Sequence, residues 1–167
     1  MTPARSVRAA DVQPRPWANG GGTTRELAVA DDGAWRISLA DVDRDGPFSV
    51  LAGRQRLLTL VDGPVLDLRV DDEAHVVEPQ RPFAFPGDAT TVASVPEGPV
   101  RVLNVVVDPA LVRPHVTVLE LGRSSSLPLA ADQAAYALSG EAAGVLLLGP
   151  GEVAGRCTVA VVTLERA

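Results

Sequence analysis

Lysine is absent from this chain of 167 residues, so all 15 of its basic side chains are arginines. A phosphate-binding P-loop, GxxxxGK(S/T), is thereby excluded, because its lysine is the group that reaches the phosphates. Histidine is scarce: His75 and His115, each followed by valine, give a histidine-based metal site or a hydrolytic triad little to work with. No G-x-S-x-G nucleophile elbow occurs. Cys157 is the only cysteine and has no internal disulfide partner. No amino-terminal segment pairs a basic start with an apolar stretch, and the apolar runs fall far short of the ~20 residues that span a bilayer. A cytoplasmic chain without a membrane partner is the expectation. The net charge of -6 comes with no basic stripe, so nucleic acid is not expected as a partner either.

With 46% hydrophobic residues, the chain can bury a substantial core as one compact unit. Glycine and proline, 15 and 14 residues, recur at short intervals, as at Gly46-Pro47, Gly63-Pro64, Gly98-Pro99 and Gly149-Pro150, which is the punctuation of a β-rich domain. Strand-sized apolar runs lie between, at residues 34–42, 54–61, 65–70, 100–107, 116–121, 144–148 and 158–164. Several alternate, as Leu66-Asp67-Leu68-Arg69-Val70 does, so that one face is apolar and the other polar. Helical patterns are nearly absent; the alanine-rich residues 130–138 are the best candidate, and 109–112 fit a single turn. The expected fold class is all-β, of sandwich or barrel type. Arginines thin out after residue 108, which divides the chain into residues 1–108, carrying the candidate pocket, and a structural half at 109–167.

The stretch WANGGGTTREL, residues 17–27, has three glycines but is no dinucleotide fingerprint, since Arg25 occupies the third glycine position of G-x-G-x-x-G. A strand from Thr24, a turn at Asp31-Asp32-Gly33 and a second strand from Trp35 make a β-hairpin instead. Arg36 and Ser38 share the polar face of the second strand. A three-residue turn brings Glu26 to that face and a two-residue turn brings Arg25, so the parity stays open. That face either lines a pocket or is a solvated surface of an edge hairpin.

Arg54 and Arg56 lie on one face of a strand that continues with Leu58 and Leu60. Guanidiniums on an apolar face need anionic partners, either a small carboxylate held through parallel hydrogen bonds or internal acids such as Glu26 and Asp88. Asn104 shares its strand face with Val100, Val102 and Val106, so its amide must find a hydrogen-bond partner. Phe83 and Phe85 lead into a turn at Pro86-Gly87-Asp88.

These segments form an ordered set: residues 16–26, PWANGGGTTRE; 35–40, WRISLA; 46–49, GPFS; 53–56, GRQR; 82–88, PFAFPGD; and 98–101, GPVR, before Asn104. Together they resemble the HutD/Ves family. The resemblance implies a cupin, RmlC-like jelly-roll β-barrel, a bicupin arrangement of two cupin-like halves, and a homodimer. It further implies a role in bacterial histidine utilisation, in which a bound pathway intermediate limits expression or flux. The chain departs from the family pattern at Leu51, Val102 and Val106. If Gly63 is the glycine of the first cupin motif and Gly87 that of the second, then Val50, Ala52, Arg56 and Thr90 stand at or near the metal-ligand positions. The expectation is therefore a metal-free pocket without a cofactor.

The resulting candidate site holds a small carboxylate ligand such as urocanate or a formyl- or formimino-glutamate compound. Arg54 and Arg56, with Arg25 or Arg36, grip the carboxylate; Asn104 and Ser38 orient the ligand. Trp17 and Phe83 cover it, and Asn19, Thr24 and Glu26 sit at the mouth. Two alternatives are a metal-independent isomerase or hydrolase with Glu26 as general base, and a ligand-free interaction protein whose arginines pair internally.

Overall fold

The computed structural model describes residues 5–167; the first four residues of the 1–108 half lie outside them. In chain order the strands begin with β1 (Arg5–Arg8), β2 (Arg15–Pro16), β3 (Gly22–Val29), β4 (Trp35–Val42), β5 (Gly46–Pro47) and β6 (Gln55–Asp62). Next come β7 (Leu66–Val70), β8 (Glu73–Val77), β9 (Phe83–Pro86), β10 (Thr91–Ser94), β11 (Val100–Val107) and β12 (Val112–Leu121). The chain ends with β13 (Ser126–Leu129), β14 (Gln133–Ala137), β15 (Val145–Leu148), β16 (Gly151–Ala154) and β17 (Cys157–Arg166). The described residues hold one short 3-10 turn, Ala9–Asp11, and no helix long and apolar enough to cross a membrane. The chain is all-β.

Four sheets form: β2-β3-β4-β11-β6-β9, β5-β10-β7-β8, β1-β15-β14-β17-β12 and β13-β16. Three apolar clusters join them in layers. Leu58, Leu60, Val102 and Phe85 of the six-stranded sheet pack against Leu66, Leu68, Val77 and Ala93 of the four-stranded one. The opposite face of the six-stranded sheet, with Ile37, Leu39, Leu103 and Val105, packs against Tyr136, Leu146, Ala160 and Val162 of the five-stranded sheet. Ala135, Val159 and Val161 then meet Leu129 and Val153 of the two-stranded sheet. The six-stranded sheet is therefore covered on both faces, which explains why β11 reads as an almost unbroken apolar run while β7 alternates.

The pairing closes no sheet on itself. Three of the four edge strands bounding the first sheet pair contain proline, Pro16 in β2, Pro47 in β5 and Pro86 in β9. Proline has no N–H to donate to a ladder, so it belongs at an edge and helps leave the sheets open.

The helix expected at residues 130–138 is instead strand β14, hydrogen-bonded between β15 and β17. Ala134, Ala135, Tyr136 and Ala137 are all buried there, and their small side chains let the layers on both faces approach. Burial on two sides outweighs the modest helix preference of alanine. Residues 109–112 form the expected turn, with the Leu111 and Val112 amides donating to the Asp108 carbonyl. Strand β1 pairs with β15, so the chain's beginning contributes to the sheet built mostly by its second half.

Tyr136 is the chain's one tyrosine and is 4% exposed in the core between the six- and five-stranded sheets. Burial lifts its pKa above the ordinary 10.0, with the charge of Arg101 opposing. Because the folded pKa is raised, the stability this group contributes is complete below pH ~10 and is lost as pH climbs through the higher folded value. Ultraviolet titration should give a phenolate midpoint above 10.0 in the native protein, returning to that value in denaturant. A native midpoint at or below the denatured one would contradict this burial.

Candidate functional site

Between the six- and four-stranded sheets lies a cavity of about 440 Å³. The ladder register sorts its sheet wall into three rows: Thr24, Ala40 and Val102; Glu26, Ser38 and Asn104; and Arg36, Val106 and Arg56. All of them point to the same face because side chains alternate along a strand.

The parity left open by the sequence is decided by a β-bulge. From the turn, β3 and β4 pair Val29 with Arg36 and Ala28 with Ile37, but the register then shifts and Glu26 lies opposite Ser38. Leu27 and Ala28 consequently both face the apolar interior behind the sheet. Without that extra residue, Leu27 would oppose Ser38 and Arg25 would join the cavity face. Arg25 instead opposes Leu39, and its guanidinium donates to Asp41 Oδ2 at 3.2 Å and to the Val12 carbonyl at 3.3 Å. Arg101 holds the same carboxylate from the other side, Nε to Oδ1 at 2.7 Å. Arg25 is thus a structural ion-pair residue, turned away from the cavity.

Arg56 is 8% exposed and sits between two rings, 5.1 Å from the Phe48 centroid and 4.9 Å from that of Phe85. Its Nη1 donates to the Ser49 carbonyl at 3.1 Å, and its Nε has no partner. Burial, with the charge of Arg36 adding to it, pulls its pKa down to about 10, so the guanidinium still carries its charge at neutral pH. Neither Arg36 nor Arg56 has a carboxylate partner among the described residues. Asn104, 9% exposed, leaves its Oδ1 unpaired in the next row. Arg56 and Asn104, each with one covered atom short of a partner, line one void. Their placement suits a ligand that brings an anionic acceptor and a donor.

The glycine-rich stretch shapes the mouth. Trp17 Nε1 donates to Thr24 Oγ1 at 2.8 Å, and its ring meets Phe48 edge-on with centroids 5.8 Å apart. Gly22 admits this ring: a Cβ there would collide with the Asp41 carbonyl oxygen and lie 3.1 Å from the indole. Gly20 takes a left-handed φ of 72° that turns the loop. Asn19 accepts from the Gly21 amide at 2.8 Å and donates to the Pro47 carbonyl at 3.3 Å, tying the loop to β5.

Trp17, Asn19, Thr24, Glu26, Arg36, Ser38, Arg56 and Asn104 are therefore brought together. Arg54 lies in an adjoining cleft, its Nη1 donating to the Gly33 carbonyl at 3.1 Å. Phe83 is stacked on Phe85 at 5.6 Å and tilted against His75 at 4.7 Å, and it is not part of the cavity lining. The cover is Phe48, whose place in the GPFS segment was the available signal. Arg15, on the two-residue β2, also lines the cavity and has no sequence signal. Asp88 accepts from the Gly53 amide and neutralises no arginine. His115 lies on β12, 3.3 Å from Glu165.

Residues 9–151 match the family model described as HutD. An uncharacterized 21.2 kDa protein in the hutC 3' region of Pseudomonas putida is 34% identical over 116 residues, 65% of this chain and 60% of that protein. Protein Ves of Citrobacter koseri is 36% identical over 87 residues, 49% of this chain and 46% of that one. The chain thus spans less than two thirds of the length of either relative. A conserved protein of unknown function from Pseudomonas aeruginosa PAO1 superposes with a TM-score of 0.87 at 28% identity, over 99% of this chain and 100% of that chain. HutD from Pseudomonas fluorescens SBW25 gives 0.78 at 28% identity, over 98% and 100%.

An unpaired buried charge destabilises the fold that holds it. Arg56→Met, similar in reach but uncharged, should raise the stability of the ligand-free protein by about 1 kcal/mol, or a few degrees in Tm. Thermal melts check this, and a clear loss of stability would show that the guanidinium is internally satisfied.

Proposed function

Because this chain belongs to the HutD family, we propose that it is a small-molecule binding protein whose cavity takes a carboxylate on Arg56. The observation that carries this reading is the buried guanidinium with an unpartnered Nε and no facing acid. A carboxylate there forms charge-assisted hydrogen bonds in a region of low dielectric, where they are strongest. The Asn104 amide and the Ser38 hydroxyl add orienting contacts, and Trp17 with Phe48 covers the mouth. Urocanate and formyl- or formimino-glutamate carry both a carboxylate and a nitrogen donor, which suits a cavity lined by Arg56 and Asn104. On this reading the protein limits or modulates histidine utilisation by sensing such an intermediate. The two sheet pairs are taken as the two cupin-like halves of one chain.

Local charge supports an acid as the ligand. The cavity wall holds Arg15, Arg36 and Arg56 against the single carboxylate Glu26, in a chain whose net charge is -6. A positive concavity on an acidic surface steers small anions inward. A ligand-free reading needs Glu26 or Asp88 to neutralise these arginines, and no such ion pair supports it.

Titration calorimetry with urocanate and N-formylglutamate is the test. The wild type should give saturable heat with at least one of them, and Arg56→Ala should weaken that binding by about 2 kcal/mol or more, roughly thirtyfold. Heat from neither compound, or equal affinity in the variant, would overturn the assignment.

A further inference from the structure

Arg56 is not the last cation on this face. A second cleft of about 340 Å³ adjoins the cavity, walled by Gly33, Trp35, Val50, Ala52 and Arg54. Arg36, Leu51 and Val106 line both spaces, so the two are continuous around Val106. Arg36 and Arg56 flank Val106 on the neighbouring strands β4 and β6, which puts their Cα atoms about 10 Å apart at two strand spacings. Arg54 precedes Arg56 by two residues and shares its face. Three arginines thus lie near Val106, Arg36 and Arg56 as its ladder partners and Arg54 on the wall of the same cleft. The Arg36 side chain has no hydrogen-bond or ion-pair partner among the described residues, and the Arg54 side chain makes only its bond to the Gly33 carbonyl. Glu26 stands one row further off and is not a wall of the cleft.

One monocarboxylate can occupy only one of these positions. It would leave the cations of the other positions without a counter-charge. The charge of Arg36 already reaches Arg56 and lowers its proton affinity. A second anionic group on the same ligand relieves both positions at once, and the span between the arginines suits a short carbon chain.

Building on the carboxylate reading above, we propose that the Arg36–Arg54 cleft is a second anion subsite, so that the ligand class is a dicarboxylate bridging Arg56 and the cleft. Arg36 and Arg54 then determine specificity for diacids over monoacids, while Arg56 anchors either.

Calorimetry with a matched pair of probes tests this: glutarate, and glutarate monomethyl ester, which has the same chain and one charge fewer. The diacid should bind the wild type about tenfold or more tightly than the ester. Arg54→Gln, at a position in the cleft and not on the main cavity wall, should lower that ratio to the statistical factor for two equivalent ends and leave ester affinity unchanged. Equal affinity of diacid and ester, or equal weakening of both by Arg54→Gln, would overturn the second subsite and leave Arg56 as a monoacid site. Failure of both compounds to bind would overturn the carboxylate reading together with it.

Discussion

Burial of the six-stranded sheet on both faces is the constraint from which the rest of the molecule follows. A strand covered on one side can alternate, but β11 is covered on both, so nearly every position in it must be apolar or find a partner. Leu103, Val105 and Val107 fill the layer toward the five-stranded sheet, and Val100 and Val102 fill the layer toward the four-stranded one. Arg101 escapes at the rim, where Asp41 holds it. Asn104 has no such escape. Its amide oxygen is covered and unpaired where the residue borders the cavity.

The same holds for Arg56. Its strand β6 is buried at every position from Arg56 to Leu60, and its neighbours on that face are Leu58 and Phe85. The two flanking rings hold the guanidinium through their negative π-faces, which partly replaces lost hydration. They leave Nε without a partner, so stability and binding are set against each other at this residue. Phe48 joins the two tasks: its ring supports Arg56 and also receives the edge of Trp17.

Period-two patterning and glycine-proline punctuation were enough to read an all-β chain, most strand positions and the hairpin at β3 and β4, because these depend on local alternation. They also put Ser38, Arg36, Arg56 and Asn104 on polar or mixed faces. The places where that reading stopped share one cause. Residues 130–138 looked helical because alanine alone carries no signal of two-sided burial. Arg25 and Phe83 looked like site residues because a face can be assigned along a strand but not between strands. Arg15 gave no sign because its place in the cavity wall depends on strands distant in sequence, and Phe48 gave one only through the GPFS segment.

By itself the sequence determined the chemistry available: arginine as the only permanent cation, a buried amide among valines, and a tryptophan ahead of three glycines. It also determined the fold class, since alternation and turn residues are local properties. Tertiary structure decided which of these groups meet. One extra residue at Leu27 reversed the side on which Arg25 and Glu26 emerge, and sheet stacking chose between Phe48 and Phe83 as the cover. Side-chain direction in a sheet has period two, so a single inserted residue inverts it, and pairing register is set by the packed partners and not by the strand itself.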